Sequence, residues 1–154
     1  MSGYMWAMFG AAIATALPCV GAAYGVQVAG KAAAGVTAEK PDLFGKLLIM
    51  QALPATQGIY GFLVTIMIML NAGLMGGNAT ALTVDAGVAN FAAALPIAIA
   101  GLMSAVYQGR TSAASIHMIA KQPDSSAKGI TMTAMVETYA ILALLISILL
   151  LINI

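Results

Sequence analysis

Charge is what this chain of 154 residues has least of. Asp, Glu, Lys and Arg make up 7% of it, against about 25% in a soluble domain. Together with 62% apolar residues and a mean hydropathy of +0.98, that excludes a soluble globule and implies an integral membrane protein. Cysteine occurs once, at Cys19, so an intrachain disulfide is excluded and a buried, inert thiol is expected. Aromatic residues are 6% of the chain, too few to wall a cavity for a drug-sized ligand. No Gly-rich phosphate loop ending in Gly-Lys-Ser/Thr is present, so nucleotide hydrolysis has no home here. No basic residue precedes the first apolar stretch, which is also too long for a signal peptide's core, so we expect it to be retained. A net charge of +1 gives no pull toward nucleic acid.

What remains is apolar and periodic. Four stretches, Tyr4–Ala29, Leu47–Leu70, Val88–Gly109 and Gly129–Ile152, each reach the ~20 residues a helix needs to cross about 30 Å of hydrocarbon. The fold class is therefore all-α, an integral membrane protein of four transmembrane helices, with connections too short for a soluble domain. The basic residues are Lys31, Lys40, Lys46, Arg110, Lys121 and Lys128, at the ends of spans or in the 1–2 and 3–4 connections. The 2–3 connection, "NAGLMGGNATALTVDAG", holds only Asp85. The positive-inside rule then puts loops 31–46 and 110–128 in the cytoplasm, with both termini and the middle connection outside or in a lumen.

The halves resemble each other. "EKPDLFGK" at 39–46 matches "KQPDSSAK" at 121–128, an offset of 82 positions that carries Thr56 onto Thr138 and Ile59 onto Ile141. The fold is read as two tandem duplicated helical hairpins, 1–72 and 87–154, joined by an external loop at 73–86. At the position of Glu137 the first copy has Ala55, so one acid has been lost. Helices 1 and 3 share a stripe of small residues, Gly21, Gly25, Ala29 and Ala33, and Gly101, Ala105, Gly109 and Ala113. Such stripes let backbones approach closely. They fit the lining of a tight ring and a monomeric four-helix bundle equally. Helices 2 and 4, richer in Leu, Ile and Met, suit a lipid-facing layer.

Glu137 lies inside "TAMVETYAIL" with no Lys or Arg in the spans to balance it. An acid at membrane depth is costly and marks a functional site by default; the plainer alternative is a protonated, hydrogen-bonded structural acid. The available partners are neutral oxygens. Thr56, Gln57 and Tyr60 cluster on helix 2, with Thr56 and Tyr60 on one face, and Gln108 lies near the cytoplasmic end of helix 3. Pro54 has no N–H, so carbonyls beside it are freed to turn sideways. Taken singly, these groups are interhelical hydrogen-bonders. Together with one carboxylate they suit a hard monovalent cation, which selects oxygen ligands. His117 is expected at the interface, and Tyr4 and Trp6 as anchors at the outer surface.

Over nearly its whole length the chain resembles the membrane-rotor proteolipids, the c/K type, of V/A-type rotary ATPases. The resemblance rests on the duplicated hairpin, the lone acid in "MVETYAIL", and the stretches "LPATQGIYG" at 53–61 and "YQG" at 107–109, which look like those of the sodium-translocating bacterial members. It implies Na⁺, or H⁺ alone, held by Glu137, Thr56, Gln57, Gln108 and the carbonyl of Leu53, with Tyr60 bonding the glutamate. It also implies a ring of identical copies in a cell membrane, surrounded by lipid. The expected partners are a stator subunit (a or I) that supplies an Arg, and a central-stalk subunit docked on loops 31–46 and 110–128. ATP hydrolysis would sit in a separate soluble sector, so the chain is not an enzyme on its own. One ion per four-helix chain would favour a pump over a synthase. The alternatives are a proton-only rotor ring and a small proton-coupled exporter.

Overall fold

The computed structural model describes residues 2–75 and 82–154, and every regular element among them is helical. Helix α1 spans Gly3–Glu39. A 3₁₀ turn, Pro41–Leu43, leads into α2, Phe44–Ala52. A second turn, Leu53–Ala55, joins α2 to α3, Thr56–Asn71. Helix α4 spans Val84–Lys121, and the turn Pro123–Ser125 leads into α5, Ser126–Leu151. Taking α2 and α3 as one broken span, four helical segments are long and apolar enough to cross a membrane. Of the connection at 73–86, residues 76–81 lie outside the described residues.

Local chemistry sets the ends. Gly73 takes φ 69°, and the N–H groups of Gly73 and Leu74 return to Leu70 O and Met69 O. That pair of bonds closes α3 in a left-handed glycine cap. The Thr83 side chain accepts from Ala86 N at 3.2 Å, and Asp85 sits in the first turn of α4, where a helix N-terminus favours negative charge.

Helices α1 and α4 outrun their apolar stretches. Segments 31–39 and 110–121 are helical, not loops, and Lys31 and Arg110 lie within helices. The two connections at this end shrink to 40–43 and 122–125. Hydropathy falls at Gly30 and Arg110, but "KAAAGVTAE" and "RTSAASIHMIAK" are rich in Ala, the best helix former, and backbone hydrogen bonding is indifferent to polarity. Packing continues as well: Ala33, Val36, Ile116 and Ile119 belong to one buried cluster with Leu47 and Met50. Gln108, expected near a helix end, therefore sits well inside α4.

The small-residue stripe is where α1 and α4 meet. A Cβ added at Gly109 would strike the Gly25 backbone, and one at Gly21 would strike that of Leu102. Helix α3 packs on α1, and α5 on α4. Cys19, expected to be buried, is exposed, because Pro18, Gly21 and Gly25 face α4 and turn position 19 away. Two apolar clusters hold the bundle. One, around Ala7, Val64, Ile68, Ile97 and Leu151, lies toward the termini; the other, around Ala29, Leu47, Met50, Ile116 and Ile119, lies toward the turns. On α3 and α5, and on α4 apart from Asn90, the buried polar residues fall between them.

Candidate ion-binding site

Pro54 begins the site. Its missing N–H would have bonded Met50 O four residues back, and that orphaned carbonyl accepts the Ser112 hydroxyl instead. The ring itself is buried against Gly25, where an added Cβ would meet it at 2.7 Å. The break turns the chain through one 3₁₀ turn before α3 resumes. Leu53 O accepts both the Thr56 N–H and the Thr56 hydroxyl, the latter at 3.1 Å. The same hydroxyl lies 3.3 Å from Gln57 Oε1, so one short turn presents three oxygens side by side.

Gln57 and Gln108 are completely buried. Gln57 Nε2 donates to Gln108 Oε1 at 2.6 Å and to Ser104 Oγ at 3.1 Å. Gln108 Nε2 donates to the Thr133 carbonyl and to Glu137 Oε2, each at 3.2 Å. A backbone carbonyl can only accept, so Thr133 O sets which end of the Gln108 amide faces α5. The Tyr60 hydroxyl donates to the other carboxylate oxygen, Glu137 Oε1, at 2.5 Å. Leu53, Thr56, Gln57, Tyr60, Gln108 and Glu137 thus belong to one hydrogen-bonded network drawn from three helices.

Two members of that network were not singled out from the sequence. Ser104 Oγ accepts from Gln57 and donates to Val136 O at 3.0 Å, tying α3 to α5 through α4. Thr133 supplies its carbonyl to Gln108, and its hydroxyl lies 3.3 Å from Ser115 Oγ. The legible signal was spacing. Ser104 precedes Gln108 by four residues, and Thr133 precedes Glu137 by four, so each shares a face with a residue already picked out. Thr138 and Tyr139, adjacent to Glu137 in sequence, point out of the bundle instead. Among the described residues no three His, Cys, Asp or Glu side chains converge. One carboxylate among neutral oxygens carries a single negative charge, which a monovalent cation or a proton balances and a divalent ion over-balances.

The family model for the ATP synthase C subunit matches twice, at residues 9–68 and 91–150. The chain belongs to that family. Both boundaries of the two matches are 82 positions apart, the offset of the internal repeat. Among relatives, the V-type sodium ATPase subunit K of Enterococcus hirae is 44% identical over 151 residues, covering 98% of this chain and 93% of that one. The A-type ATP synthase subunit K of Methanocaldococcus jannaschii is 42% identical over 149 residues, covering 97% of this chain and 64% of that one. The chain is a c/K proteolipid of the V/A type, a multi-pass membrane protein of tandem duplicated hairpins. Its relatives are membrane subunits, not catalytic ones.

Proposed function

We propose that the chain is the ion-carrying component of a rotor ring and binds one Na⁺ at Glu137. The observation that carries this reading is the network itself: the carboxylate is tied to Tyr60 and Gln108, and through Gln108 to the oxygens of Gln57, Thr56 and Leu53. The name of the Enterococcus hirae relative, a sodium ATPase subunit, supports Na⁺ as cargo. Thr56 Oγ1, Gln57 Oε1, Leu53 O and a second lone pair on Gln108 Oε1 are the oxygens available to it beside the carboxylate. Bonds from Gln57 Nε2 and Gln108 Nε2 to Ser104 and Thr133 hold those amides in place, which lowers the cost of organising the site on binding.

An isolated carboxylate is expensive in hydrocarbon. With Na⁺ or H⁺ bound, Glu137 is neutral and passes through lipid as copies turn. Beside the stator it releases the ion, and an Arg supplied by the stator stabilises the empty carboxylate. In this reading the termini face outside and the turns at 40–43 and 122–125 face the cytoplasm, where Lys40 Nζ bonds Ala120 O at 2.5 Å and Lys46 Nζ bonds Pro123 O at 3.0 Å. That end offers the surface for a central-stalk subunit. With Ala55 in place of the first carboxylate, each chain carries one ion, so fewer ions move per ATP and pumping is favoured over synthesis. Family membership leaves the exporter alternative without support.

Carbodiimide labelling of Glu137 tests the reading, because the reagent attacks the protonated carboxyl. Protection by Na⁺ and not by K⁺ is the expected result. Labelling that follows pH alone keeps the rotor and moves its cargo to protons. Absence of labelling at any pH makes Glu137 a structural acid and overturns the transport reading.

A further inference from the structure

Ser104, Gln108 and Ser112 fall every four residues along α4, so they share one face, and all three are buried. Ser104 and Gln108 hold Gln57, which follows the break that Pro54 makes in the second span. Ser112 acts before the break. Its hydroxyl donates to Met50 O, the carbonyl that loses its helical bond because residue 54 is proline. One face of α4 therefore grips the chain on both sides of the turn Leu53–Ala55.

The internal repeat supplies a comparison within the same molecule. Shifted by 82 positions, Pro54 becomes Val136, Met50 becomes Met132 and Ser112 becomes Gly30. Helix α5 runs unbroken from Ser126 to Leu151, and in a regular helix the Val136 N–H bonds Met132 O. No carbonyl is freed there, and glycine stands where the hydroxyl was. Proline and hydroxyl occur together in one half and are missing together from the other.

We propose that Ser112 is a positioning residue that favours Na⁺ over H⁺ by fixing the turn that carries Leu53 O. The proposal rests on the sodium reading of the site. A proton needs only the carboxylate, whose bonds to Tyr60 and Gln108 do not pass through the turn. Na⁺ needs several oxygens at set positions, and two of those available to it, Leu53 O and Thr56 Oγ1, come from the turn and the residue that closes it. A backbone carbonyl has no side-chain torsion of its own, so Leu53 O goes where the turn goes. With Met50 O satisfied by Ser112, the turn is set before the ion arrives. Without that donor a buried acceptor is left unmade, and any rotation of the chain toward another donor carries Leu53 O with it.

Carbodiimide labelling of Glu137 in the full chain, isolated as the native oligomer, separates the two ions. At fixed pH, Ser112→Ala is expected to raise the Na⁺ concentration for half-protection about tenfold, the equivalent of one ordinary hydrogen bond. Its labelling against pH without Na⁺ is expected to superimpose on that of the native chain. Ser147→Ala removes a buried hydroxyl that meets Ile97 N at 3.3 Å, away from the turn, and is expected to match the native chain in both measurements. Unchanged half-protection in Ser112→Ala overturns the proposal. So does a rise equalled by Ser147→Ala, or one accompanied by a shifted pH profile, since either makes Ser112 a general support of the fold. If Ser112→Ala does not assemble, Pro54→Ala with Ser112→Ala gives Met50 O a backbone N–H in its place. Loss of Na⁺ protection with pH-dependent labelling kept is then expected, and native protection in that double variant overturns the proposal. Absence of Na⁺ protection in the native chain itself overturns the sodium reading and the proposal with it.

Discussion

At Glu137 two bonds converge from different helices. Tyr60 reaches Oε1 and Gln108 reaches Oε2. A hydrogen bond to a charged group contributes about 1.5–3 kcal/mol, so Tyr60→Phe is expected to weaken Na⁺ protection against carbodiimide by roughly tenfold, about 1.4 kcal/mol, while leaving the carboxyl reactive. Glu137→Gln keeps the shape of the side chain and removes the charge. Both labelling and ATP-driven Na⁺ uptake into vesicles are expected to vanish, with the ring still assembled. Ser104→Ala leaves Gln57 Nε2 its bond to Gln108, so its effect on Na⁺ protection is expected to be smaller than that of Tyr60→Phe. Equal losses would mean that positioning of Gln57 matters as much as direct contact with the acid. From the sequence alone the acid, the glutamines, Thr56 and Tyr60 stand out because polar groups are rare in apolar spans. Ser104 and Thr133 do not, since Ser and Thr occur widely in such helices and bond their own backbones.

Among elements, the pairing of α1 with α4 rests on glycine at particular turns. Gly109 has the Gly25 backbone where its Cβ would be, whereas Gly35 has nothing within 4 Å. Gly109→Leu is therefore expected to push the inner helices apart and cost upwards of the 1–3 kcal/mol of ordinary overpacking, read as loss of the assembled form on heating in detergent. Gly35→Ala is expected to be neutral or stabilising by up to about 1 kcal/mol, the propensity difference between the two residues. The small-residue stripe was legible because its spacing of four matches the helix. The true ends of α1 and α4 were not, because hydropathy marks where a chain leaves hydrocarbon and not where its helix ends.

For the whole molecule, one intramembrane carboxylate per chain would, under the proposed function, make Na⁺ and H⁺ competitors for a single place. Labelling is expected to fall as pH rises, since the reagent needs the protonated acid, and Na⁺ is expected to lower it at every pH by displacing that proton. Additive, non-competing effects of pH and Na⁺ in a rate measurement would place the ion elsewhere. A ring of such chains is also expected to move fewer ions per ATP than a ring of equal circumference with an acid in every hairpin. Counting Na⁺ taken up against ATP consumed checks this, and a ratio as high as in the fully acidic ring sinks the assignment of Ala55 as a lost site.

Four spans, their duplication and the lone acid were all settled by composition and spacing, because hydrocarbon tolerates few charges and a helix repeats every 3.6 residues regardless of its neighbours. The offset of 82 needed no coordinates. Which of two equivalent rows is covered did need them: Gln57 and Tyr139 occupy matching places in the repeat, yet one is buried and the other bare. That difference arises from how one hairpin leans on the other, a relation between residues far apart in the chain. The linking of Gln57 to Gln108 and of Gln108 to Glu137 belongs with it, because three helices must meet before that chain of bonds is complete.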